Sequence, residues 1–253
     1  ATSDGSTFSE KLRIDSSGNI LTSVSTQLFG ANTSDGSDNK AIMINGGGAT
    51  SDSRGGYMIV HGNEHASNPG MTRLHAGNVG TAGIEFYTAG SKRMTIDSNG
   101  YVTKPAHPAF RAGREAPNLA VSAGSAIVFN TTSGTYGHFN DGGHYSTSTG
   151  KFTAPVAGVY SFFTHVIYEG VSDNTQCADV FHMYINNSQY AYSHKRGYYV
   201  ANTTGSGGYY TDTGSLFAIK LAANDEVWVR QQLNSFTVHP NPRYTLFSGF
   251  LVG

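Results

Sequence analysis

Aromatic residues are spread too unevenly along this 253-residue chain for a single kind of fold to account for all of it. Residues 1–104 hold six of the thirty (Phe8, Phe29, Tyr57, Phe86, Tyr87 and Tyr101), and residues 105–253 hold the other twenty-four, while the glycines divide sixteen and sixteen. About a hundred residues with so few large apolar side chains cannot bury enough surface to build a core of their own. The first part is therefore expected to borrow a core from other copies of itself. Charged residues make up only 13% of the chain, and 27 Ser, 25 Thr and 18 Asn take their place. These are poor helix formers, so β structure with many turns is expected throughout.

Charge and cysteine usage narrow the partners. Sixteen basic and seventeen acidic residues lie without runs, which gives no footprint for nucleic acid or an anionic bilayer. No stretch approaches the roughly eighteen apolar residues of a membrane span, so no membrane insertion is expected. The sequence opens Ala-Thr-Ser-Asp-Gly, without Met or a secretory signal pattern, and reads as part of a longer chain. Cys177 is alone, so durability outside a cell would rest on packing or oligomerisation.

The first part contains an internal repeat. Lys11-Leu12-Arg13-Ile14-Asp15-Ser16-Ser17-Gly18-Asn19-Ile20 returns as Arg93-Met94-Thr95-Ile96-Asp97-Ser98-Asn99-Gly100-Tyr101-Val102. Apolar residues alternate on either side of an Asp-Ser-x-Gly turn, the pattern of a short hairpin. Between the copies, alternating runs at 41–44, 57–60 and 84–87 are separated by Gly-rich breaks. Thin strands of this kind suit an elongated intertwined trimer over residues 1–106, in which each chain buries one apolar stripe against two partners. Together with Gly62-Asn63-Glu64-His65-Ala66-Ser67-Asn68-Pro69-Gly70 and the Phe86-to-Met94 lead-in, these segments resemble the repeats of bacteriophage tail-fibre and tail-spike proteins.

From residue 107 the strands become strong and aromatic: 126–129, 159–166, 180–185, 216–219, 226–229 and 245–252, each bounded by Gly, Asn, Asp or Pro. That reads as a sandwich or barrel. Asn140, Tyr145, Phe152, Gly158, Tyr160 and Phe162 fall at the spacings of the C1q-domain signature, with Pro155 and Val156 in its Phe-Thr-x-Pro-Val setting. Asp225-Glu226-Val227-Trp228-Val229 and Phe247-Ser248-Gly249-Phe250-Leu251 are similar to two further strands of that family. Two positions depart: Gly134 stands where the signature has Phe, and Thr164 where it has an aromatic. Phe129 is expected to take over the first packing role and Phe163 the second. Resemblance to the C1q and tumour-necrosis-factor class implies a ten-stranded jelly roll over 107–253 that assembles as a homotrimer. No Gly-x-y run is present to form a collagen stalk, so the β-repeat shaft is expected in its place.

The chemistry-bearing residues favour binding over catalysis. His61-Gly62-Asn63-Glu64-His65 formally matches H-x-x-E-H, which binds zinc only on a helix, and Gly62, Asn63 and Asn68-Pro69-Gly70 forbid one. A turn is expected there. Three symmetry-related imidazoles on a trimer axis could hold an ion, and the clusters Asp35-Gly36-Ser37-Asp38 and Asp173-Asn174 could offer oxygens to calcium, but neither cluster has the closing Glu of an EF-hand. No cofactor and no assigned metal are called for. The six glutamates (10, 64, 85, 115, 169 and 226) sit in no acid motif, no G-x-S-x-G elbow exists, and Cys177 lacks a His partner by sequence. Trp228 is read as a core or interface residue.

A decorated rim remains. Loops at 169–175, 193–199, 202–212 and 234–243 carry His194, Arg196, Tyr198, Tyr199, Tyr209, Tyr210, His239 and Arg243. Tyr offers a flat face for a sugar plus a hydroxyl, and His and Arg supply directed hydrogen bonds, although Tyr pairs also suit a subunit interface. The resulting expectation is a non-enzymatic homotrimeric adhesin of a phage virion. It would bind a host glycan or outer-membrane receptor through these residues, contact other virion tail proteins and act extracellularly. A capsule or lipopolysaccharide depolymerase, or a purely structural trimerisation tip, are the alternatives.

Overall fold

The protein is represented by a computed structural model that describes residues 13–14, 16–18, 20–21, 29–171, 180–192, 208–232 and 235–253. They divide into two compact units, Ala1–Thr103 and Lys104–Gly253, each with its own architecture. Among the described residues there is no α-helix, only one 3-10 turn at Asp52–Arg54.

The described residues of the first unit form three small antiparallel sheets. β1 (Arg13–Ile14) pairs with β2 (Ile20–Leu21). β3 (Ala41–Asn45), β4 (Tyr57–His61) and β5 (Thr72–His75) form a meander, as do β6 (Ile84–Thr88), β7 (Ser91–Ile96) and β8 (Val102–Thr103). The two copies of the repeat adopt one register. Ile14 faces Ile20 as Ile96 faces Val102, and Arg13 faces Leu21 as Thr95 faces Thr103. Gly18 and Gly100 close the turns at φ 82° and 84°, a left-handed conformation that side chains resist. In the second copy Asp97 Oδ1 accepts the amides of Asn99 and Tyr101, both at 2.9 Å. That is how a short acidic side chain holds a turn without help from packing.

The second unit is a two-sheet sandwich. Its strands are β9 (Ala109–Gly113), β10 (Leu119–Val121), β11 (Phe139–Asp141), β12 (Tyr145–Ser146), β13 (Lys151–Thr153), β14 (Gly158–Val171), β15 (Phe181–Ile185), β16 (Ser188–Tyr192), β17 (Gly208–Leu221), β18 (Glu226–Gln231), β19 (Phe236–Val238) and β20 (Leu246–Leu251). One sheet runs β10-β19-β14-β20-β9-β11 with β17 on the other edge of β14, and the second runs β12-β13-β18-β15-β16. The described residues thus form twelve strand segments where ten were expected. The expected strand at 126–129 is not one of them: Ala126 makes a single bridge to Arg230, and the segment runs on as irregular extended chain. Its apolar run reflects burial all the same, since Ile127 and Phe129 are fully enclosed.

The core lies between the sheets and is aromatic. Phe110 stacks on Tyr145 at 4.7 Å and on Phe152 at 5.2 Å, and meets Phe247 edge-on at 5.0 Å. Each such pair adds about 0.5–1.5 kcal/mol beyond its buried area. Phe129 packs 5.9 Å from Phe247, the role expected of it once Gly134 replaces the usual Phe. Phe163 does not take the second role. Strand neighbours point to opposite faces, so Phe163 is turned outward and 40% exposed, while Thr164 sits in the core and donates its hydroxyl to Leu246 O at 2.8 Å. A buried hydroxyl with a backbone partner replaces the aromatic ring.

Candidate functional site

His239 and Arg243 stand in the connection between β19 and β20, and three histidines hold that connection. The backbone N–H of His239 donates to Ile167 O at 2.8 Å, and its Nδ1 meets Glu169 Oε2 at 2.7 Å. Asn118 Nδ2 donates to the other oxygen of Glu169. Further on, His138 Nε2 donates to Pro242 O at 2.9 Å, and His165 Nδ1 donates to Tyr244 O. Asn241 O accepts the amides of Tyr244 and Thr245, and Asn241 Oδ1 accepts that of Arg243 at 3.2 Å. On this clamped turn the exposed Arg243 guanidinium lies 5.3 Å over the ring of Tyr244, itself half exposed. A guanidinium resting over an aromatic ring has less side-chain freedom to lose when it forks onto a carboxylate or phosphate.

The other expected site residues fare differently. Tyr209 and Tyr210, expected in a loop, have their backbone in β17, where Tyr210 pairs with Tyr168 of β14. The run Gly208–Leu221 alternates well enough to extend the ladder, and Asp212, expected in the same loop, is buried in the sheet. Glu169, taken for a loop start, is likewise in β14. His194, Arg196, Tyr198 and Tyr199 lie outside the described residues, as do Cys177 and Asp173-Asn174. His61 to His65 form the expected turn. His61 Nδ1 donates to Met71 O at 2.9 Å, and His65 Nδ1 accepts the amides of Ser67 and Asn68.

Two surfaces were not foreseen. The first is the outer face of the larger sheet. Cross-strand register sets Ser215, Phe163, Ser248, Arg111 and Phe139 in one row, and Ser161, Phe250, Ala109 and Asp141 in the next. Opposite Ser161 the β17 strand carries one residue too many, a bulge at Phe217 and Ala218, with Ala218 at φ 52° and its amide bonded to Ser161 Oγ. The bulge aims Phe217 outward at 72% exposure. Phe139, Phe163 and Phe250 are between 40% and 51% exposed, so four phenyl rings stand on one face.

The second is the outer face of the smaller sheet, where Ser146, Lys151, Trp228 and Tyr184 are in register. Trp228 is therefore not a core residue: in β18 the core side is Val227, Val229 and Gln231. Lys151 Nζ stands 5.3 Å over the indole, and the Arg230 guanidinium lies 4.9 Å from the Tyr184 ring while bonding its hydroxyl at 2.7 Å. Glu226 accepts Lys151 at 2.7 Å. The glutamates described on these faces are thus committed to structural partners, Glu226 to Lys151 and Glu169 to His239 and Asn118. In the first unit Glu85 pairs with Lys92 and Tyr87, hydrogen bonds that hold its carboxyl below the ordinary range.

A two-sheet, all-β sandwich with this aromatic core is a jelly roll. The C1q-domain family model matches residues 109–252, and the chain belongs to that family. Among curated proteins it is similar to complement C1q tumor necrosis factor-related protein 3 of Mus musculus, 33% identical over 131 residues, which covers 51% of this chain and 45% of that protein. The Homo sapiens counterpart is 33% identical over 134 residues with the same coverage. The chain therefore spans about half the length of the curated relatives it matches. Among solved structures it is similar to Eiger TNF from S. frugiperda (TM-score 0.43, 13% identity, 58% of this chain and 94% of that one). It is also similar to the globular domain of zebrafish complement 1qA protein (TM-score 0.40, 18% identity, 58% and 98%).

Proposed function

We propose that this chain is a non-enzymatic homotrimeric recognition protein: a C1q-type head, carried by a β-repeat unit of the tail-fibre kind, that attaches a virion to a bacterial surface glycan or outer-membrane component. C1q and tumour-necrosis-factor domains form homotrimers. The observation that carries the reading is the outer face of the larger sheet. Four phenyl rings on one face of an extracellular-type domain are a standing liability unless another chain covers them. Covering each is worth on the order of 1 kcal/mol per ring per protomer. The clamped turn bearing Arg243 and Tyr244 supports the recognition role, and the repeat unit supports the virion setting. Three equivalent weak sites per trimer raise effective affinity without chemistry.

Sedimentation of the full chain should give a trimer, and Phe217→Asp with Phe250→Asp should give a folded monomer. Purified trimer should bind host cells and compete with phage adsorption, and should bind glycan-stripped cells less. A monomeric parent chain would sink the assembly, absence of cell binding the adhesin role, and release of reducing ends from host polysaccharide the non-enzymatic one.

A further inference from the structure

The first unit presents a second unpartnered surface. In the β3-β4-β5 sheet, register places Ile42, Ile44, Met58, Val60 and Leu74 on one face. The opposite face is mixed, with Asn45, Tyr57, Arg73, His75 and His61 beside Ala41, Met43 and Ile59. The β6-β7-β8 sheet repeats the division, with Ile84, Phe86, Met94, Ile96 and Val102 against Glu85, Thr95 and Thr103. The apolar faces carry no charge, yet Ile44 is 63% exposed and Val102 57%. Among the described residues of this unit, none joins a buried hydrophobic cluster, and His61 is the one that counts as buried. An apolar sheet face is stable when another layer buries it.

We infer that these two apolar faces are assembly surfaces covered by the other two copies of this chain, and that they close only after the head has trimerised. The inference rests on the trimeric reading of the head. Only residues 104–108 separate β8 from β9, so a trimeric head tethers three copies of the first unit within reach of one another. Tethering on that scale replaces a bimolecular search by an effective concentration in the millimolar range. An uncharged face meets its own copies without like-charge opposition, and its charged reverse, with Arg73, Glu85 and Lys92, stays in water. The head has a core of its own before assembly and the described residues of the first unit form none, which sets the order.

Single thiols in the full-length Cys177→Ser chain test this. Ile44→Cys and Phe86→Cys lie on the apolar faces, Asn45→Cys and Thr103→Cys on the polar ones, and all four positions are exposed in the single chain. Native maleimide labelling should be roughly 100-fold slower at 44 and 86 than at 45 and 103, the protection given by a buried interface that opens rarely. Adding Phe217→Asp and Phe250→Asp should make all four label alike. Equal labelling of a chain that sediments as a trimer overturns this inference and leaves the head reading standing. A parent chain that sediments as a monomer overturns both. Thiols at 44 and 86 that stay protected in the head-disrupted chain overturn the order of assembly.

Discussion

Tyr145 shows how much one side chain can carry in this head. It is buried against Phe110, donates to Phe129 O at 3.1 Å and accepts the Phe129 amide at 3.2 Å. Burial pushes its phenol well above the ordinary value near 10. The unfolded chain ionises first, so the contribution is complete below pH 10 and is lost as pH rises from there through the folded value. Thermal melts between pH 9 and 11.5 should fall with a slope of up to ~1.4 kcal/mol per pH unit from this group, and Tyr145→Phe should remove that part. At neutral pH the same variant should cost about 1 kcal/mol for the lost hydrogen bonds. Gly249 is the converse case. A Cβ there would come 2.3 Å from Phe162 Cδ1 and 3.0 Å from Phe110 Cε1, so Gly249→Ala should destabilise the head by ~1–3 kcal/mol in denaturant titrations while Ser248→Ala is near neutral. The core positions of Phe152, Tyr160 and Phe162 were readable from the resemblance to the C1q signature. The use of Thr164 was not, because a hydroxyl's backbone acceptor comes from a strand eighty residues away and leaves no local trace.

At the level of elements, hairpins were legible and edges were not. The Asp-Ser-x-Gly turn announces itself because its geometry is built from neighbours in sequence. Asp97→Ala should therefore act locally, speeding amide exchange at Asn99 and Tyr101 by roughly fivefold, since each lost hydrogen bond is worth about 1 kcal/mol. The start of β17 was hidden for the opposite reason. Gly and Thr before Tyr209 look like a loop, yet the long partner strand β14 supplies a ladder that tolerates weak β formers. The bulge at Phe217 depends on the same pairing, so an adjacent Leu216-Phe217 gave no hint that one ring lies in the core and the other stands in solvent. The candidate site was half readable: His239 and Arg243 are on one turn, but the groups that clamp it, His138, His165 and Glu169, come from far earlier in the chain.

For the whole molecule, the proposed function gives assembly and recognition to different surfaces, and this separates their tests. Arg243→Ala should reduce cell attachment by roughly tenfold per site, amplified by loss across three sites, with sedimentation unchanged. Loss of the trimer in that variant would instead place Arg243 at a subunit contact. The uneven aromatic count was the best guide to this scale, since it separates a unit with its own core from one without.

The shared register of the β1-β2 and β7-β8 hairpins bears on how such a chain can change. A unit assembled from interchangeable hairpins can gain or lose one by duplication or deletion without shifting the pairing of the rest. Its length becomes a freely variable trait, open to change generation by generation while the second unit keeps its sequence.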